Sequence, residues 1–240
     1  MSEQQFVRSS FSKGVTKLAL SILQTAKQPD KALQHGKYFG VSGTTKLSEE
    51  CIERIIDTPN VQSLLADRPS LEWPSLEQMA TMPEGSLGWC VQRRLEKLEI
   101  SFLVQESQIP ETLTDLEYGL IRGARLHEIH HTVLGLPITV AGEAAATAFY
   151  ASTYSMPSDI GILSSWMLRG SYAPDERRLI WDGIGFGIAV GQIVPELFSP
   201  RWEEGWERPL TDWHMELGLT ELMKESPFKD GFMSTYGISL

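Results

Sequence analysis

The sequence predicts an all-α protein: a compact helical domain of about seven to nine helices, preceded by an N-terminal helical arm. Three observations carry this. Apolar residues recur at three- and four-residue steps along most of the chain. Prolines and Ser/Thr caps cut it into segments of helical length. No stretch alternates apolar and polar residues for long enough to read as a strand. The chain has 240 residues, 42% of them hydrophobic, enough for one sizeable core. The expected division is an arm over 1–45, a single all-α domain over 46–219 and a C-terminal tail over 220–240.

In the arm, Phe11, Val15, Leu18, Ile22 and Leu23 make an apolar stripe at helical spacing, suited to packing on the domain or on a second subunit. Residues 36–45 read as loop. A short helix follows over 48–56 with Ser48 as its N-cap, and another over 60–66, ended before Pro69. A turn at 82–88 leads into a helix from Ser86 to Leu98, with Arg93, Arg94, Glu96 and Lys97 on its wet side. The central helix runs from Asp115 to Leu134, with Thr114 as its cap. A helix over 140–154 ends before Pro157, and others span 158–169 and the segment opened by Pro174. A final helix begins at Trp202 and reaches Leu217.

Charge narrows the function. The net charge of -10 argues against nucleic-acid binding, which needs a basic footprint. It also argues against electrostatic capture by an anionic membrane and leaves hydrophobic contact open. Cys51 and Cys90 lie inside helix-like segments and read as free buried thiols of a reducing compartment. No secretory signal, Arg-rich transit peptide or spanning apolar run stands out. The expectation is a cytoplasmic chain that sits peripherally at an inner or internal membrane surface.

The stretch richest in chemistry is His127-Glu128-Ile129-His130-His131, which holds three of the five histidines and is followed by Glu143. His127 and His131 are four apart, so on a helix both imidazoles face one way and can reach one metal ion. They lie on a stripe with Leu116, Leu120, Gly123 and Leu134, whereas His130 points elsewhere and reads as an ordinary hydrogen-bonded histidine. Gly135 and Pro137 turn the chain toward Glu143. Buried ionisable groups are costly unless paired or metal-bound, so the cluster favours a metal site over satisfied core histidines. His127-Glu128-x-x-His131 is also the literal zincin pattern, with Glu128 as base and Glu143 as third ligand. In the next helix Glu143, Thr147, Tyr150 and Tyr154 share one face, which suits a site. Farther on, Gly183, Gly187 and Gly191 line one side of a helix. That smooth face admits either a closely packed helix or, with Tyr150, a long apolar ligand.

These residues resemble the signature His-Asp-x-x-His-x11-Glu of the coenzyme Q (ubiquinone) biosynthesis protein 4 family. It stands here as His127, Glu128, His131 and Glu143, with glutamate in place of the family's aspartate. The flanks are similar too: Thr132-x-Leu134-Gly135-Leu136-Pro137, Gly142-Glu143, the upstream turn Pro83-Glu84-Gly85-Ser86-Leu87-Gly88, and downstream Glu176-Arg177-Arg178 and Trp206-Glu207. The resemblance implies a divalent metal, zinc first with magnesium or iron as alternatives, held by His127, Glu128, His131 and Glu143. It implies that these four residues are also the catalytic set, and that the chain binds a polyprenylated lipid or quinone precursor. It further implies peripheral membrane contact, a homodimer and quinone-biosynthesis enzymes as partners. Its activity would be oxidative decarboxylation of a polyprenyl-hydroxybenzoate. A non-catalytic scaffold for that pathway is the alternative, and a zincin-type hydrolase a third.

Overall fold

The computed structural model describes residues 16–32, 45–100, 102, 109–194 and 197–238. Phe11, Val15 and the 36–44 loop lie outside them. The described residues carry α1 (16–27) and a 3-10 turn (Pro29–Lys31), then α2 (Thr45–Ile56), α3 (Pro59–Asp67) and α4 (Leu76–Ala80). Next come α5 (Leu87–Leu98), α6 (Asp115–Val133), α7 (Val140–Tyr154), α8 (Pro157–Tyr172) and α9 (Arg177–Ile193). A 3-10 turn (Trp202–Glu204), α10 (Leu210–Glu216), α11 (Thr220–Lys224) and α12 (Lys229–Tyr236) complete the order. No strand occurs among the described residues, so the all-α class stands. The helices outnumber the seven to nine expected, because short ones such as α4, α11 and α12 were not anticipated.

The described residues form two compact units. One takes 139–192 with the described residues up to 56; the other takes 57–138 and 193 onward. In the first, α7 packs along α8, and Trp166 Nε1 donates to Thr147 Oγ1 at 3.2 Å. The glycine face of α9 meets α7 closely. A Cβ at Gly187 would stand 2.1 Å from the Ala145 carbonyl oxygen, and one at Gly191 would stand 2.4 Å from Ser152 Oγ. Of the two occupants expected for this face, a packed helix is the one present at Gly187 and Gly191. On α1 Ser21, Thr25 and Ala26 are buried and Leu18 and Ile22 half-buried beside them, so of the described part of the expected stripe only Leu23 turns outward. Arg169 Nη1 reaches the Ala26 carbonyl at 3.4 Å, linking α8 to α1.

In the second unit α5 is central, flanked by α4, α6 and α12. Ser86 caps α5 by accepting from Trp89 N, and Thr114 caps α6 in a full capping box with Glu117. The predicted ends of α6 and α7 therefore hold to within a residue. Ser48 does not cap α2, whose first residue is Thr45. The helix expected from Trp202 to Leu217 is broken. Gly205 sits under Trp213, where a Cβ would lie 2.4 Å from the indole, and Pro209 restarts the chain as α10. The intervening residues pair with the turn before α5: Leu87 N donates to Arg208 O at 2.9 Å and Leu210 N to Gly85 O at 2.9 Å. Residues 220–236, expected as a loosely held tail, form α11 and α12 and bury Met223, Phe232 and Tyr236.

The inner stripe of α6 also differs from expectation. Leu116 and Leu120 are exposed, Leu120 by 59%. The buried residues are Tyr118, Arg122, Arg125, Leu126 and the run from Glu128 to Val133. Only the histidine end of the predicted face turns inward.

Candidate metal centre

His127 and His131 occupy the last turns of α6, where the capping box at the other end has fixed the helix. Their rings meet edge to face at 4.5 Å between centroids. His131 is fully buried and His127 half-buried. Burial is the first cause holding both imidazoles below their ordinary pKa of 6.5, and mutual repulsion and the Arg94 charge add to it at His131. Both are therefore neutral at neutral pH, the state in which an imidazole nitrogen can bind a metal.

Gly135 follows in the left-handed conformation, φ +64°, so the chain reverses there. Leu136 N donates to the His131 carbonyl at 2.8 Å. His131 Nδ1 lies 3.4 Å from the Leu136 carbonyl oxygen. A carbonyl oxygen only accepts, so the proton is on Nδ1 and Nε2 keeps its lone pair. The chain then enters α7, capped by Thr139, with Glu143 half-buried in the first turn. The histidine pair belongs to the second unit, and Glu143, the third predicted donor, to the first. Two neutral imidazoles and a carboxylate are a donor set that divalent transition metals accept.

Glu128, the fourth predicted ligand, is engaged by an arginine. It is buried, and its Oε2 accepts from Arg94 Nε at 3.2 Å. This also disfavours the zincin reading, in which that carboxylate would have to face a bound water rather than a guanidinium. Arg94 itself was placed on the wet side of α5, yet it is only 5% exposed. Sequence held a signal for it: Leu87, Cys90 and Arg94 fall on one helical face, and the first two are fully buried. His130 is hydrogen-bonded as expected, 3.0 Å from the Leu197 carbonyl oxygen, and burial pushes it down to about 3. Thr147 donates to the Glu143 carbonyl at 2.7 Å and accepts from Trp166, so its hydroxyl is spent in helix packing. Tyr150 and Tyr154 stack at 6.2 Å. Gly183 is buried in α9, and Gly187 and Gly191 face α7 rather than a groove.

His214 on α10 closes the C-terminal end of α6: its Nε2 lies 2.7 Å from the Val133 carbonyl oxygen. Burial lowers its pKa below 6.5. The unfolded chain takes up a proton near pH 6.5 that the folded chain refuses, so this contribution to stability is full above that pH and is lost as pH falls. Urea midpoints measured from pH 7 to 5 should decline, and His214→Gln should remove up to about 1.4 kcal/mol per pH unit of that slope. An unchanged slope would mean His214 does not titrate on unfolding.

Scaffold and donors together define a wholly helical protein with two histidines at a helix end and a carboxylate just beyond the following turn. Residues 8–223 match the family described as coenzyme Q (ubiquinone) biosynthesis protein Coq4, and the chain belongs to that family, which works in ubiquinone biosynthesis. Relatives include the mitochondrial ubiquinone biosynthesis protein COQ4 homologs of Rattus norvegicus, 30% identical over 169 residues, and of Bos taurus, 27% identical over 168. Each alignment covers 68% of this chain and 62% of the relative, so the chain spans less than two thirds of those proteins. The crystal structure of a putative ubiquinone biosynthesis protein from Nostoc punctiforme PCC 73102 is similar in fold. Its TM-score is 0.71 at 22% identity, covering 87% of this chain and 97% of that one.

Proposed function

We propose that this chain binds a divalent cation through His127, His131 and Glu143 and acts on a polyprenylated aromatic acid, removing the ring carboxyl oxidatively during ubiquinone synthesis. The observation that carries the proposal is the pair of neutral imidazoles, four residues apart and 4.5 Å between ring centroids at the end of α6, with the signature carboxylate Glu143 in the first turn of the next helix. Zinc, iron or magnesium bound there would supply Lewis acidity toward a carboxylate or phenol oxygen. His127 and His131 offer neutral nitrogens, and the Nδ1 proton of His131 orients its ring. His127 and Glu143 are each half-buried rather than sealed in the core.

No described helix is long and apolar enough to cross a membrane. Access to a lipid-tailed substrate in our reading is therefore by surface contact, through exposed apolar residues such as Ile160, Met167, Trp181 and Ile188. Mitochondrial placement, as in the relatives' names, homodimer formation and contact with other quinone-synthesis enzymes belong to the same proposal.

The test is metal and substrate together. Purified chain should carry a stoichiometric divalent metal by elemental analysis. His127→Ala and Glu143→Ala should each weaken metal binding at least about 100-fold, beyond the usual loss from an outer-shell partner. The same variants should lose oxygen-dependent release of carbon dioxide from a polyprenyl-hydroxybenzoate. Retention of full metal by both variants would overturn the site. Metal binding without turnover, with lipid retained on native mass spectrometry, would favour a scaffold.

A further inference from the structure

We infer that Arg94 is a positioning residue for the His127–His131 pair, acting through the Leu136 carbonyl and through Glu128. The inference rests on the metal reading above and adds a residue that the family signature does not contain. Three contacts of one guanidinium and its neighbours support it. Arg94 Nη1 donates to the Leu136 carbonyl oxygen at 2.6 Å, a short charge-assisted bond. The same oxygen lies 3.4 Å from His131 Nδ1. Arg94 Nε donates to Glu128 Oε2 at 3.2 Å, on the residue directly after His127.

The geometry gives Arg94 two separable tasks. At Leu136 it anchors an acceptor that would otherwise sit on a left-handed turn with only the histidine ring holding its carbonyl direction. With the carbonyl pinned, the Nδ1–H of His131 has a fixed target, so the ring plane and the Nε2 lone pair are fixed as well. At Glu128 the guanidinium compensates a buried carboxylate and so fixes the residue next to His127 in place. The sequence pattern agrees: Arg94 falls with Leu87 and Cys90 on the buried face of α5 and reaches α6 from there. The Tyr236 hydroxyl of α12 lies near Arg94 and Thr132, and burial pushes that phenol up to about 12. Arg178, 93% exposed, only approaches Asp182 at 3.5 Å.

The experiment is a cobalt(II) or zinc(II) titration of the purified full chain, followed by chelator competition, with thermal melts on the same samples. Arg94→Lys keeps the charge and loses the two-pronged geometry; it should weaken metal binding about 10–100-fold. Arg94→Met leaves Glu128 buried and unpaired and can unfold the chain. The double variant Arg94→Met with Glu128→Leu removes both charges and keeps the volume. It should fold and still bind metal about 10-fold or more weakly, because the Leu136 carbonyl has lost its anchor. Wild-type affinity in the double variant would overturn positioning through Leu136 and reduce Arg94 to a counterion. Wild-type affinity in Arg94→Lys as well would overturn the inference entirely. Failure of the unmodified chain to bind either metal would instead sink the metal reading on which the inference stands. Activity enters none of these outcomes.

Discussion

Replacing Glu203 with alanine should destabilise the protein by about 3–5 kcal/mol, the range for removing one partner of a buried ion pair. Arg122 on α6 is fully buried, and its Nη1 donates to both Glu203 oxygens at 2.9 and 3.1 Å. Its remaining donors are committed to the carbonyl oxygens of Phe198 and Pro200 at 3.2 and 3.0 Å. Alanine leaves a desolvated guanidinium beside two carbonyls with no anion. Water reaches it only if the 198–204 segment opens. Urea unfolding checks this, with Asp182→Ala as the comparison. The exposed Arg178–Asp182 pair should contribute at most about 1 kcal/mol. Equal effects from the two substitutions would show that Arg122 is not desolvated.

A second large effect should come from a single methyl group. Gly187→Ala places a Cβ 2.1 Å from the Ala145 oxygen, 2.9 Å from its carbon and 3.0 Å from Phe149 N. All three are backbone atoms of α7, so no rotamer relieves the contact and the helices must separate. Overpacking of this kind costs about 1–3 kcal/mol, and more where backbone must move. Gly185, two residues away on the open side of α9, has nothing within 4 Å. Gly185→Ala should stabilise the protein by up to about 1 kcal/mol through helix propensity. Thermal melts of the two alanine variants should therefore move in opposite directions. A shift in the same direction would mean that α7 and α9 are not packed at Gly187.

The contrast between these residues shows what was legible in the chain. Local chemistry was readable: Thr114 with Glu117, Ser86, and the Gly135–Pro137 turn each act within a few residues, and they set α5, α6 and α7. The spacing of His127 and His131 was readable for the same reason. Long-range charge pairing was not. Arg94 finds Glu128 34 positions away, and Arg122 finds Glu203 81 positions away. Without those partners an arginine reads as surface, and so Leu116 and Leu120 took the inner stripe in place of Arg122 and Arg125. Gly205 was hidden similarly, because only the folded position of Trp213 reveals why a side chain cannot stand there. Glu128 read as a ligand because its neighbours in sequence are histidines, and its pairing with the Arg94 guanidinium was not legible there.

The split make-up of the second unit has a consequence for the order in which the chain matures. Its first part ends at Ile138 and its second begins at Ile193, so the 139–192 segment is synthesised between two halves of one body. Arg122 therefore leaves the ribosome well before its carboxylate. At about 5–20 residues per second, the 81 positions to Glu203 correspond to a wait of about 4–16 s. Arg94 has a shorter wait, since Glu128 follows within 34 positions. On a nascent chain the frame around the histidines can thus be drawn early, whereas the opposite end of α6 stays hydrated until the last quarter of the protein arrives.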